Sequence, residues 1–501
     1  MKNILRSRLT EPLDEMAKNF LSSLKDDLEI VEEDILGTMA HDYMLFKQGV
    51  INEDEIKLIL KALLEIRDEF LDNNFSLDET YEDIHPLIEA KVIEKIGIDA
   101  GGKMHSGRSR NDQVAVDIRL KLRKLLLDLS TCVLELVQSI VEKSRKHTTT
   151  SFPLFTHLQP AQIGTFSHLL TGWGLELLRH VERLSECFAR TNLSPLGACA
   201  IGGTSFPIDR RMTADFLGFS GIMVNSLDAI SSRDVLIEHA SVMASLFTLY
   251  SRIATDLIIF SSSTFKFIDL PDKFCSVSSV LPQKKNPDTL ELIRGNSALA
   301  ISTLNAELLL AKGTPSGYNM DFQECKPPLW HLYEKIIVST KLLARIIEGL
   351  ELQEENIKKC LETSDLLALD LAEYICLDYN VPFRKSHELL ANIVKQLQSE
   401  GLHLSSPLSD DIVKKIKSIA NTIVGNPDVI DEQFISMAQN LDSFEQRRSE
   451  GSPASKSVEI MISMIEQECS NLNAKISHDI EHIKEKTEGF LNDMKEFVES
   501  P

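Results

Sequence analysis

Positive charge is what this sequence is shortest of. Its 501 residues include 53 lysines and arginines against 75 aspartates and glutamates, a net charge of −22 at neutral pH. Nucleic-acid binding neutralises phosphates with basic surface, so nucleic acid is excluded as the main partner. Any bound anion must be met by local lysines and arginines that override the acidic background. Cysteines are scattered: the eight, at positions 132, 187, 199, 275, 325, 360, 376 and 469, include no C-x-x-C pair. A cysteine zinc site and a dense disulfide framework are both excluded. Long uncharged apolar runs are missing too. The most apolar stretch, "VLIEHASVMASLFTLYSRIATDLIIF" (235–260), carries Glu238, Arg252 and Asp256. Charges there are expensive in a bilayer, so a buried core helix is expected and no membrane partner. The first residues, "MKNILRSRLTEPLDEM", have no apolar signal core, and a cytoplasmic location is expected.

Familiar catalytic motifs are absent as well. There is no H-E-x-x-H, no G-x-S-x-G, no Walker A order and no G-x-G-x-x-G after a strand. The chemistry is therefore expected to need no metal and no cofactor, and to rest on acid–base groups and an anion clamp. What is present is apolar residue, 43% of the chain, recurring mostly at three- and four-residue steps. Residues 29–71 read as a helical hairpin, and "DQVAVDIRLKLRKLLLDLSTCVLELVQSIVEKSRK" (112–146) as one helix of nine or ten turns. Comparable segments follow at 160–190, 233–263 and 287–312, and helices this long pack along one another as a bundle. The composition changes near 355. The expected division is an N-terminal helical domain (1–105), a central long-helix bundle (106–355) and a small C-terminal helical domain (356–501). At the end, Ile476, Ile480, Ile483, Thr487, Phe490, Met494 and Phe497 form a narrow seam expected to pack against the protein itself.

Three loops break the helical pattern. In "SVSSVLPQKKNPD" (276–288), Asn286 reads as an N-cap, Pro287 as the first helical residue and Asp288 as a first-turn acid. The loop before a helix N-terminus suits a carboxylate or phosphate, with Lys284 and Lys285 adding charge and Ser278 or Ser279 presenting an oxygen. A solvated basic turn is the plain alternative. In "FTHLQPAQIGTFSHLL" (155–170), Pro160 reads as the first turn of a helix, leaving Thr156, His157 and Gln159 just before it. A histidine there is pushed toward its neutral form, although a surface or capping role is the default for His157 alone. In "AGGKMHSGRSRNDQV" (100–114), arginines can fork onto carboxylates and Ser109 or Asn111 can cap the next helix. All three are polar, anion-ready loops at the ends of long helices.

Together, "GGKMHSGRSRNDQVAVDIRL", "FTHLQPAQ", "SPLGACAIGGTSFPIDRRMTADFLGF", "NSLDAISSRD", "SSVLPQKKNPDTLELIR" and "YNMDFQECK" resemble argininosuccinate lyase, in the fumarase/aspartase superfamily. The likeness runs from about residue 10 to about 455. It implies an all-α, three-domain lyase fold whose central bundles pool in a homotetramer, with each active site shared by three subunits. The implied reaction is reversible elimination of arginine from argininosuccinate, releasing fumarate. By position, Ser278 corresponds to the catalytic serine on a closing loop, His157 to the catalytic-site histidine, and Glu291 to an acid that tunes it. Lys284 and Asn286 correspond to fumarate-side carboxylate ligands, and Ser23, Asn111 and Thr156 to other substrate ligands. Tyr318, Gln323 and Lys326 correspond to residues holding the arginine side; His85, Arg110 and Arg233 lie in neighbouring motifs. Ser278 is assigned as base and His157 as its helper or the acid, with the reverse assignment open.

The chain departs from the family pattern at several places. Val277 replaces a glycine before the serine, Leu281 a methionine, Met320 and Cys325 a lysine and an aspartate, and Phe155 and Ile163 a tyrosine and a proline. "ILRSRL" stands where W-G-G-R-F is usual. Two alternatives follow: a superfamily lyase acting on another succinyl adduct (adenylosuccinate, aspartate or malate), or a non-catalytic, crystallin-like protein.

Overall fold

The computed structural model describes residues 11–500, so "ILRSRL" lies outside the described residues. Helices dominate, as the three- and four-residue spacing requires. In the N-terminal unit, α1 (Val31–Lys47) and α2 (Glu53–Leu71) form the expected hairpin, and α3 (Ile84–Ile96) packs on α2. Asn52 starts α2 with a reciprocal capping box to Glu55. Ile35, Met39, Ile56, Leu60 and Val92 are fully buried between these helices.

The bundle is built on α4 (Arg110–Arg145), 36 residues long and so about 54 Å at 1.5 Å per residue. It packs against α5 (Phe166–Thr191) and α8 (Lys326–Gly349); α6 (Asp234–Ser261) packs against α5, α7 (Asp288–Ala311) and α8. By length and composition α6 could cross a membrane. Its place here is the bundle core, with Met243, Phe247, Tyr250, Ile253 and Leu257 at 0% exposure.

Between α4 and α5 the chain forms a hairpin, β1 (Ser151–Thr156) antiparallel to β2 (Gln159–Thr165). This corrects the reading of Pro160 as a helix start: Pro160 lies in β2, and α5 begins at Phe166 with Thr165 as its cap. Two-stranded ladders also join β3 (Ile268–Asp269) to β6 (Glu351–Leu352), and β4 (Ser276–Val277) to β5 (Lys285–Asn286). The last pairing corrects the second capping expectation. Asn286 is extended and pairs with Ser276, while Pro287 caps α7 through no side-chain bond. The local capping signal lost to a ladder with a partner ten residues earlier in the chain.

Four helices of ten residues or more follow, α9 (Glu354–Thr363), α10 (Ala368–Asp378), α11 (Phe383–Ser399) and α12 (Asp410–Val424), and then a short one at Glu432–Met437. The terminal helix α13 (Ser455–Glu499), 45 residues long, then leaves them. It runs along α4 and α5 and ends on α2. Its seam does face the protein: Ile476, Phe490 and Met494 are buried, whereas Ile480 is 39% exposed.

Candidate active site

A cavity of about 390 Å³ opens where the N-terminal unit meets the bundle, within the usual size of a small-molecule site. One wall is the turn before a short 3-10 helix, Asp26–Ile30. There Ser23 is buried, donates its hydroxyl to Asp27 Oδ2 at 2.6 Å, and donates its amide to the Glu82 carbonyl at 2.9 Å. Asp27 in turn forms a buried ion pair with Lys326 at the start of α8. Gln323 donates to the Leu21 carbonyl at 3.0 Å. Tyr318, three segments of chain away from Ser23, lines the same cavity.

The loop into α4 supplies a second wall. Gly107 takes a left-handed φ of +68°, and a Cβ there would stand 3.2 Å from Phe206 and Ile208 side-chain atoms. The turn delivers Ser109 as the cap of α4, with Asp112 closing the reciprocal bond to the Ser109 amide. Asn111 therefore sits in the first turn, donating Nδ2 to the Ala200 carbonyl at 2.9 Å. Arg110 reaches Glu82 Oε2 at 3.3 Å and Asp83 Oδ2 at 3.1 Å through one nitrogen, Nη1. Arg108 instead goes inward, donating to Thr38 Oγ1 at 2.8 Å. Arg233 stacks its guanidinium 4.2 Å over Phe322 and donates to the Ile230 and Ser232 carbonyls.

Beneath this wall lies a chain of buried charges. His85 donates Nδ1 to Asp83 at 2.9 Å and Nε2 to Asp117 at 3.0 Å. Burial pulls the imidazole toward its neutral form, but Asp34, Asp83 and Asp117 outweigh it and hold the pKa well above the ordinary histidine value. Candidate ligand atoms of Asp34, His85 and Asp117 lie within 4.8 Å of one another, a spacing that could hold a metal ion. Both ring nitrogens already face carboxylates, however, which is the arrangement of an ion-paired imidazolium.

The loop between β4 and β5 is a separate feature. Ser278 Oγ accepts the Val280 amide at 3.2 Å and the Leu281 amide at 3.0 Å. Val277, 82% exposed, and Val280, 81% exposed, leave the loop with an apolar rim in water. The two lysines differ in role. Lys285 is tied to Asp269 and Asp272 at 3.0 and 2.7 Å, whereas Lys284 has no ion pair among the described residues. Lys284, Asn286 and Glu291 line a second, open groove of about 730 Å³ with Cys275 and Gln353.

His157 and Thr156 stand apart from both. His157 and Leu158 form the two-residue turn of the β1–β2 hairpin with φ of +55° and +57°. Such a turn favours asparagine or glycine, so two bulky residues there are strained. The tip is exposed, and the helix N-terminus that was expected to neutralise His157 is not beside it. His168 does lie in a helix, in the first turn of α5, and its Nε2 meets the Gly451 carbonyl at 3.0 Å.

Eight expected residues, Ser23, His85, Arg110, Asn111, Arg233, Tyr318, Gln323 and Lys326, thus share one cavity. Ser278, Lys284, Asn286, Glu291, Thr156 and His157 do not line it. Asp27, Asp34, Asp83 and Asp117 were not anticipated. Asp27 follows Ser23 by one helical turn, and Asp83-x-His85 is a spacing at which a carboxylate can hold an imidazole. Those signals were legible; Asp34 and Asp117 had none, since a single acid on an amphipathic helix reads as surface.

A family model described as a lyase matches residues 7–301, and one described as argininosuccinate lyase C-terminal matches residues 365–439. The chain is 41% identical over 454 residues to argininosuccinate lyase of Methanocorpusculum labreanum, covering 90% of each chain. It is 40% identical over 495 residues to that of Nitrosopumilus maritimus, covering 99% of each. Among solved structures, EDDS lyase in complex with formate superposes with a TM-score of 0.85 at 26% identity, covering 96% of this chain and 94% of that one. A fumarate lyase:delta crystallin from Brucella melitensis bound to cobalt shares the fold, with a TM-score of 0.68 at 18% identity over 87% of this chain and 94% of that one.

Proposed function

The chain belongs to the argininosuccinate lyase family, and we propose how its residues divide the work of that reaction. It is a carbon–nitrogen lyase that splits argininosuccinate reversibly into arginine and fumarate. The observation that carries the site assignment is convergence. Ser23, Asn111 and the Tyr318–Lys326 segment come from distant parts of the chain and line one cavity beside Arg110. That supports the cavity as the site for the arginine side of the substrate.

Elimination starts at the carbon next to the fumarate-side carboxylate. A base removes its proton, the electron pair moves into that carboxylate, and the resulting dianion expels the guanidinium nitrogen, which takes up a proton. Ser278 is the proposed base. Its Oγ already accepts two amide hydrogen bonds, and donors aimed at an oxygen favour its deprotonated form. Lys284, with no carboxylate paired to it among the described residues, and Asn286 are the proposed stabilisers of the dianion, each such donor being worth ~3–4 kcal/mol of barrier. His157, with Thr156 beside it and Glu291 tuning it, is the proposed proton carrier for the leaving nitrogen, and the reverse pairing with Ser278 is the second arrangement to test.

One chain holds these groups on three separate surfaces, which supports a homotetramer in which three subunits complete each site, in a cytoplasmic enzyme using no cofactor. The test is to mix argininosuccinate with protein of tetrameric mass by light scattering and to follow fumarate by ultraviolet absorbance. Wild type should produce fumarate, and Ser278→Ala should be slower by ~10²–10⁴, the contribution of a positioned proton-transfer group. A Ser278→Ala rate near wild type would remove the serine from the chemistry. No fumarate from the folded tetramer would redirect the search to other succinyl adducts.

A further inference from the structure

His85 is gripped at both ring nitrogens, and the two grips lead in opposite directions. Nε2 points inward to Asp117 on α4, which is 0% exposed, as is Asp34 on α1. Nδ1 points outward to Asp83, whose other oxygen meets Arg110 Nη1 at 3.1 Å. A histidine bonded to ionised carboxylates on both sides carries both protons. It then has no lone pair with which to act as a base, so a proton-transfer role is excluded for it in this arrangement.

We propose that Asp117, backed by Asp34, is a positioning residue for the lyase reaction. It holds His85 as a fixed imidazolium, His85 holds Asp83, and Asp83 aims the Arg110 guanidinium into the substrate cavity. Arg110 uses only Nη1 on Glu82 and Asp83, so Nη2 and Nε stay available to fork onto a substrate carboxylate. The inner end of the relay is under electrostatic tension. Among the described residues Asp34 Oδ2 and Asp117 Oδ1 are buried without partners, while Asp34 Oδ1 takes a 2.5 Å bond from Gln113. Burial and the nearby Asp34 charge both push the Asp117 carboxyl upward. The imidazolium is the cation that lets these acids stay together. The groups acting on it are Asp34 from α1, Asp83, Asp117 from α4 and His105 from the loop into α4, while around them Asp42 and Glu89 press on Asp34, Arg108 draws on Asp117 and Arg110 on Asp83. The acids keep the imidazole charged; His105 and the arginines oppose it.

The inference rests on reading the cavity as the substrate site, so its test has one arm that needs no activity. Solid-state ¹⁵N spectra of histidine-labelled protein, with His85→Gln to assign the signal, should show both His85 nitrogens protonated at pH 8. In Asp117→Asn the ring should titrate near its ordinary value of ~6.5. A neutral His85 in wild type at pH 8 overturns the proposal, as does a stoichiometric divalent ion found by elemental analysis, which would need a deprotonated ring nitrogen. The kinetic arm is a double-mutant cycle. Asp117→Asn should raise KM by at least about tenfold, the size of one charge-assisted hydrogen bond, with a smaller change in kcat. Its KM should climb further as pH rises through the new histidine pKa, a dependence that loosened packing alone would not create. In an Arg110→Lys background the same substitution should have much less effect. An equal effect in both backgrounds sinks the relay. If Asp117→Asn lacks a cooperative melt, Asp34→Asn, which leaves both His85 bonds in place, is carried through the same cycle with a smaller effect of the same sign expected.

Discussion

Glu307, on α7, is fully buried, and among the described residues no nitrogen or oxygen donor reaches either carboxyl oxygen. Its neighbours are Cys325 and Arg233, and burial pushes its pKa up to about 7 from the ordinary 4.5. Its folded state therefore holds a proton that the unfolded chain has already lost between pH 4.5 and pH 7. Stability from this group is complete below about pH 4.5 and is lost as pH rises to about 7. Measured against Glu307→Gln, which cannot ionise, wild type should lose on the order of 3 kcal/mol of relative stability across that window. Thermal midpoints of the two proteins that stay parallel from pH 5 to pH 8 would rule this out. The same geometry explains a departure in the sequence. Cys325, where the family has aspartate, contacts Glu307 and does not line the cavity. An aspartate there would set two carboxyls together in a buried place. Met320 does line the cavity, so of the two departures it is the one facing the proposed substrate site. Sequence pattern cannot separate those cases, because neighbouring residues of a short turn face opposite ways.

At the scale of elements, α4 was readable almost to its ends. Its apolar steps run unbroken over 36 residues, and Ser109 with Asp112 marks where it starts. The β1–β2 hairpin was not readable. "PAQIG" continues smoothly into the pattern of α5, and only pairing with residues 151–156 makes it a strand. Asn286 failed for the same reason, since its partner Ser276 is distant while its capping signal is adjacent. Local chemistry is thus legible where nothing non-local competes with it. The α4 start also ties the site together. Asp112 accepts the Ser109 amide at 2.9 Å, the Gly197 amide at 2.9 Å and the Cys199 amide at 2.8 Å, although burial lifts its pKa to about 6. Ser109→Ala should cost about 1 kcal/mol, the usual value of an N-cap. Asp112→Ala should cost at least ~3 kcal/mol, because it strands several buried donors at once. Urea unfolding of both variants checks the order, and equal losses would mean that the 197–199 loop finds other acceptors.

At the scale of the whole molecule, the cavity draws its walls from distant parts of the chain, which meet along α1 and α4 and again at the terminal helix. Ser23 and His85 come from the N-terminal segments, Arg110 from the first turn of α4, and Tyr318, Gln323 and Lys326 from the stretch leading into α8. The helix α13 connects them. Its first half packs on α4 and α5, and its last turns enter the N-terminal core. There Phe490 stacks on Phe216 at 4.8 Å, Tyr43 meets Phe497 edge-on at 5.6 Å, and Lys486 pairs with Asp215 at 2.7 Å. Burying side chains of this size contributes about 1.5–3 kcal/mol each, far more than the exposed Lys486 pair can. The terminal helix should therefore act as a strap that fixes the spacing of the two walls. Deleting residues 478–501 removes Phe490, Met494 and Phe497 together, while Phe490→Ala alone should cost about 3 kcal/mol. Both changes should raise amide exchange in α1 and α2 and leave the bundle protected. Both should also raise KM more than they lower kcat, because the residues assigned to the chemistry lie outside this cavity. If deletion destabilises α1 and α2 but KM does not move, the cavity walls are held by the Asp27–Lys326 pair and its neighbours, and the strap serves the N-terminal core alone.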